Sequence, residues 1–191
     1  MARSTRGNGF AVREIRPEDV PAARALMIRT FDEDFGTGYV PAYHWDVDDI
    51  AGVYITAPRH VLYVAIDDLS GEMIGTGGVR GGALKSEGSP ERLVRRYDDL
   101  HTAQLVRVYT SREHRRRGVA RALVRAALEY ILADPEYTLI ALHTYRHSPG
   151  AVGFWGSIGT TVVTEEQEAE GSVVFFEIPL EQARRFVERP A

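Results

Sequence analysis

The sequence predicts one α/β (α+β) domain, a sheet of about seven strands with helices on both of its faces. Three observations carry that prediction. Short apolar runs recur along the chain, each of strand length and bounded by turn-forming residues. Between them lie stretches whose apolar residues repeat with helical spacing. One run, Leu105 to Tyr109, leads through a short basic loop, Arg115-Arg116-Arg117-Gly118, into a helix-patterned segment. At 191 residues, 44% of them hydrophobic, the chain suffices for one sizeable core and is short for two.

Ala11 to Ile15 reads as the first strand, and Pro17-Glu18-Asp19 opens the helix that follows. Val20, Ala23, Leu26, Met27 and Phe31 share a face of that helix, which Gly36 and Gly38 end. A second helix is expected around Val47 to Tyr54, inside an aromatic and acidic stretch. Val61 to Ile66 and Met73 to Val79 pair as a hairpin across Asp67-Asp68-Leu69-Ser70-Gly71-Glu72, a turn composition. Arg80 to His101 reads as a long loop with a short helix, a length that marks function or mobility in a compact domain. Gln104 to Thr110 is the next strand. In the helix Val119 to Leu132, the stripe Val119, Leu123, Val124, Ala127, Leu128 and Ile131 faces the core. Thr138 to His143 is a buried strand by its apolar character. Pro149 to Ser157 is a short helix with Ser148 as N-cap and Pro149 at its first position. Thr160 to Thr164 and Val173 to Ile178 are final strands. The expected organisation is a flexible N-terminus over 1–9, one domain over 10–180, and a polar tail over 181–191.

Composition excludes several function classes. Without cysteine the chain has no disulfide, no thiolate metal site and no cysteine nucleophile. No window approaches the ~18–20 apolar residues of a membrane span. The N-terminal cations precede no apolar stretch, so no secretory signal is read and a cytoplasmic location is expected. A net charge of −4 argues against bulk nucleic-acid binding. His44, His60, His101 and His114 lack metal-ligand spacing, and no metal site is assigned.

The basic loop is the strongest functional signal. A glycine turn into a helix directs several N–H groups and the positive end of a helix dipole at one point, which suits a pyrophosphate. Arginine side chains add charge-assisted bonds to the same oxygens. Cations beside a helix N-terminus are locally unfavourable, so an anionic ligand explains them better than an ordinary helix start. Arg115-x-x-Gly118-x-Ala120 resembles the (Q/R)-x-x-G-x-(G/A) signature of the Gcn5-related N-acetyltransferase (GNAT) superfamily. The strand Gln104 to Thr110 resembles that family's fourth strand, and Ala151-Val152-Gly153-Phe154-Trp155-Gly156-Ser157-Ile158-Gly159 is similar to its A-x-x-F-Y-x-x-x-G helix. The three matches, in order, span roughly residues 10–180.

The resemblance implies a mixed, mostly antiparallel sheet whose fourth and fifth strands splay to admit acetyl-coenzyme A (acetyl-CoA), the co-substrate. It implies cofactor contacts from Val108, Tyr109 and Thr110, from Arg115, Arg116, Arg117, Gly118, Val119, Ala120 and Arg121, and from Ser148, Phe154 and Trp155. The backbone N–H of Val108 is the implied oxyanion donor. Gly118 is expected where the backbone meets the pyrophosphate with no room for a Cβ. Two departures stand out: Gln104 replaces a glutamate common in relatives and cannot act as a base, and Trp155 replaces the tyrosine that often protonates the leaving thiolate. His143 stands where relatives resembling ribosomal-protein N-terminal acetyltransferases place a glutamate base. With an unperturbed pKa near 6.5 it can take a proton near neutral pH. Its bland alternative is a half-buried strand histidine. Tyr145 is a weaker candidate acid, and it and His147 are expected on a loop surface.

In that family the first helices and their connecting loop form the acceptor wall. Here this region holds Phe31, Asp32, Glu33, Asp34, Phe35, Tyr39, Tyr43, His44, Trp45, Asp46, Asp48 and Asp49, a mixture that suits a cationic amine unless it is merely a solvated face. The implied activity is direct acetyl transfer to a primary amine of a small molecule or peptide terminus. The alternative is a non-catalytic acyl-CoA sensor or scaffold. A homodimer through the last strands is common in the resembled family.

Overall fold

The computed structural model describes residues 5–7, 9–82, 89–97, 100–148, 150–158, 160–168 and 171–189. Among the described residues eight strands form one sheet: β1 (Thr5–Gly7), β2 (Phe10–Glu14), β3 (His60–Asp67), β4 (Met73–Gly81), β5 (Thr102–Thr110), β6 (Leu139–Tyr145), β7 (Thr161–Glu168) and β8 (Gly171–Ile178). Their spatial order is β1-β2-β3-β4-β5-β6-β8-β7. Every neighbouring pair is antiparallel except β5 with β6. The strand that resembles the family's fourth is β5, because the short β1 precedes the first strand read from the sequence.

Among the same residues the α-helices that accompany the sheet are α1 (Val20–Thr30), α2 (Pro41–Asp48), α3 (Glu91–Arg96), α4 (Val119–Ala133), α5 (Ala151–Ile158) and α6 (Leu180–Glu188). Strand alternation sorts the core between the two faces. Val61, Tyr63 and Ala65 of β3 join α4 in one cluster, while Leu62 and Val64 join Ala23 and Met27 of α1 and Phe31 in another. A strand buried on both sides reads as an unbroken apolar run, as β3 does. The helical stripe of α4 is buried as its spacing predicts, from Val119 to Ile131. Strand β4 is rich in glycine because α4 lies close to it. A Cβ on Gly75 would stand 3.0 Å from Leu123 and Val119 side chains, and one on Gly77 3.1 Å from Leu123.

Several expectations need correction. The second helix is α2 at Pro41–Asp48 and stops at Asp49, whose backbone leaves the helical region (φ −130°, ψ 61°) and whose carboxylate accepts the Gly52 N–H at 2.8 Å. A separate π-helical turn follows at Gly52–Thr56. The N-terminal segment is not wholly free, since Thr5–Gly7 pairs with Phe10–Val12. The tail is structural too: α6 packs on α4, burying Ala183 and Phe186 in the main core. In the long connection between β4 and β5, α3 is anchored by Leu93 and Tyr97, which pack on Ala141, Val173 and Phe175. Arg96 and Tyr97 both bond Glu177, at 2.6 and 3.1 Å. Pro149 and Gly159 lie outside the described residues.

Candidate functional site

Strands β5 and β6 pair only at Thr102–Leu139, Ala103–Ile140 and Gln104–Ala141, then part. The disruption begins within β5. Its register against β4 skips from Val106 to Tyr109, leaving Arg107 and Val108 opposite Gly77 as a bulge, with Arg107 in the left-handed region at φ 54°. The Thr76 hydroxyl donates to the Arg107 carbonyl at 2.8 Å and fixes the turned backbone. A bulge bends its strand, and the gap between β5 and β6 is a cleft of 550 Å³. Gln104 to Thr110, His143 to Tyr145, and the start of α4 line it.

Beyond Thr110 the chain turns into α4. Arg116 and Gly118 both have positive φ, 66° and 83°, and no side chain caps the helix. Alternating left-handed residues before an uncapped helix turn successive N–H groups toward one side, an arrangement that favours anions. Arg115, Arg116, Gly118, Val119, Ala120 and Arg121 line the cleft. Arg115 is held by the Asp34 carboxylate, which also takes Arg112 at 2.8 Å. Arg117 does not line the cleft: its guanidinium turns to Asp67 at 3.2 Å. A Cβ on Gly118 would meet nothing within 4 Å among the described residues, so the expected lack of room does not come from them. The residue's need for glycine lies in its positive φ.

Two hydroxyls in the cleft are buried without a hydrogen-bond partner among the described residues, Thr110 Oγ1 and Ser148 Oγ. Ser148 was expected to cap α5 through its side chain. Its carbonyl instead accepts the Ala151 N–H at 3.2 Å, and the hydroxyl is left for another partner. Trp155 is 6% exposed and stands edge-on to Phe154, at 5.0 Å between centroids, so it is a packing residue at the cleft wall. Tyr145 ends β6 and lines the cleft 5.4 Å from the Phe35 ring, not on a loop surface; His147 is exposed outside the lining. Gln104 is buried and donates to the Gly82 carbonyl at 2.8 Å, a structural bond.

His143 shares a face of β6 with Ala141 and Tyr145, its ring 5.4 Å from Phe175. Desolvation, then the charges of Arg80 and Arg107, hold its pKa down, to about 4. The ring lines the cleft and meets water there. The imidazole is therefore neutral at pH 7, and the unperturbed value expected from sequence is corrected downward.

The acidic wall is not what the cleft presents. Asp46 is fully buried, accepts Arg107 Nε at 2.9 Å and the Tyr54 hydroxyl, and is held at about 2 chiefly by Arg107 against desolvation. Asp48 takes Tyr39 and Arg24. Phe31 is in the core, stacked on His44 at 3.8 Å. Arg107 and Arg80 were missed as site residues. Their only sequence signal was a charge interrupting an apolar run, which does not tell which partner it meets.

A sequence model of the Acetyltransferase (GNAT) family matches residues 20–159. No curated protein matches the sequence. Among solved structures, the ribosomal-protein-S5-alanine acetyltransferase of Vibrio fischeri aligns with a TM-score of 0.69 at 10% identity, covering 94% of this chain and 97% of its own. A GCN5-related N-acetyltransferase from Kribbella flavida gives 0.66 at 17%, covering 90% and 98%. Spermidine N-acetyltransferase from Vibrio cholerae, in complex with CoA and spermine, gives 0.64 at 15%, covering 92% and 98%. At such identities these structures speak for the fold.

Proposed function

Because the chain belongs to the acetyltransferase (GNAT) family, we propose that it moves an acetyl group from acetyl-CoA directly to the primary amine of a small molecule or peptide terminus. One observation carries this reading: the cleft opened by the parting of β5 and β6 joins an uncapped, arginine-flanked helix N-terminus to a histidine that is neutral at pH 7. The residues fit the co-substrate, for its amide arm would give the buried hydroxyls of Thr110 and Ser148 the partners they lack. Bound there, acetyl-CoA supplies the thioester carbonyl.

The chain's own groups divide the work. The first N–H groups of α4, with Arg115, Arg116 and Arg121, bind the phosphate charge. Val108, in the bulge, offers its N–H to the carbonyl oxygen as negative charge develops there. His143 takes the proton from the amine nitrogen as the N–C bond forms and the C–S bond breaks, the electron pair leaving with sulphur. Tyr145 is the candidate donor to that sulphur, and Trp155 packs beside it. With no cysteine, no thioester on the enzyme intervenes. Thiol release from acetyl-CoA across a panel of amines is the test. Amine-dependent release with an N-acetylated product supports the reading; CoA binding without release from any amine supports the sensor or scaffold instead.

A further inference from the structure

Beyond the bulge, away from α4, the cleft is walled by Tyr43, His44 and Trp45 of α2, Arg80 of β4, Arg107 of β5 and His143 of β6. Arg80 pairs in register with Gln104, some six residues along β5 from Thr110, so this wall stands apart from the helix N-terminus. Its charge is unbalanced. Among the described residues that line the cleft, the one carboxylate is Asp34, already engaged by Arg112 and Arg115. Behind the wall two guanidinium groups face a single carboxylate. Arg107 takes both oxygens of Asp46, while Arg80 comes no nearer than 4.0 Å. The Arg80 side chain is 15% exposed, and its Nε is buried with no hydrogen-bond partner among the described residues. The Trp45 ring, 5.3 Å from its guanidinium carbon, helps hold it at the cleft.

A partly desolvated guanidinium without a matched anion is costly, and a ligand that supplies one removes that cost. The positive charge also reaches His143, whose proton it disfavours. Polyammonium acceptors meet repulsion here. We propose that the acceptor is an amine that also carries an anionic group, carboxylate or phosphate, seated on Arg80 while the amine faces His143. This rests on reading the cleft as an acetyltransferase site and adds the class of its acceptor.

The test compares matched acceptors by thiol release at one pH: amino acids against their amides, aminoalkyl phosphates against the parent amino alcohols, and linear polyamines. An anionic series is expected to exceed its uncharged partners in kcat/KM by ~10-fold or more, and the better series identifies the anion. In Arg80→Gln that ratio should collapse toward one through a raised KM, with CoA affinity by calorimetry retained, and Arg80→Lys should restore part of it. Equal use of uncharged partners, preference for polyamines, or a ratio unchanged in Arg80→Gln would overturn the proposal. Should no acceptor release thiol, the acetyltransferase reading fails separately. The same pairs titrated into CoA-saturated protein then decide, since preferential anion binding lost in Arg80→Gln upholds the anion site and its absence refutes it.

Discussion

A neutral imidazole is a base ready for use, and desolvation, with the charges of Arg80 and Arg107, keeps His143 in that form at pH 7. The His143-dependent part of activity should therefore hold through neutral pH and fall only as pH nears about 4, where the ring takes a proton. In His143→Gln, turnover is expected to drop ~10²-fold or more with CoA affinity retained, and the acid limb should disappear. A mutant that keeps the wild-type profile would show His143 to be structural. His44 is lowered for a different reason: it is 6% exposed, stacked on Phe31, and its Nδ1 accepts the Val40 N–H at 2.9 Å. Burial is the main cause of its value of about 4, followed by Arg107. Its folded pKa lies below its unfolded one, so the stability it contributes is present above pH 6.5 and lost as pH falls toward 4. The loss is at most about 3 kcal/mol. Urea unfolding of wild type and His44→Phe at pH 7.5 and at pH 4.5 measures it, and the variant should show the smaller decline.

At the scale of elements, the start of α4 concentrates function in backbone conformation. Gly118 has open space around it but a φ of 83°, so a β-branched residue is strained there even without ligand. Gly118→Val is expected to turn the first N–H groups of α4 and weaken CoA binding by ~10-fold or more while the fold persists. Calorimetry with unchanged affinity would remove this helix start from the phosphate site. The loop's arginines were legible as a cluster, but their directions were not. Arg115 and Arg117 are two residues apart and go to opposite partners, Asp34 and Asp67, since an intervening positive-φ residue, Arg116, reverses the backbone. Side-chain direction in a loop follows backbone dihedrals, which residue types constrain only at glycine and proline.

For the whole molecule, the region beyond Leu180 illustrates how packing recruits a polar segment. Leu180–Glu188 is mostly polar, yet Ala183 and Phe186 fall on one face and close the core over α4. Arg121 and Arg125 lie over the Phe186 ring at 4.6 and 5.9 Å, and Arg125 donates to the Val187 carbonyl. Phe186→Ala should cost about 3–5 kcal/mol by urea or thermal unfolding. It should also loosen Arg121, which lines the cleft, and so lower CoA affinity more than its distance from the chemistry suggests. A loss below about 1 kcal/mol would mean that α6 is only loosely attached.

The sequence by itself determined the class of fold, the strand–loop–helix at Arg115–Ala120, the buried stripe of α4 and the hairpin at Asp67–Glu72. Each is a local pattern of spacing, turn residues and hydrophobic period, and such patterns act within a few residues. The tertiary structure decided what non-local pairing controls: β8 entering between β6 and β7, the bulge that parts β5 from β6, and which charges cancel. Asp46 looked like one acidic residue among many until the fold set it against Arg107, 61 positions away, with Arg80 beside them. Charge at a site is a sum over partners distant in sequence, so the acidic stretch of the chain became a cleft wall with positive charge to spare.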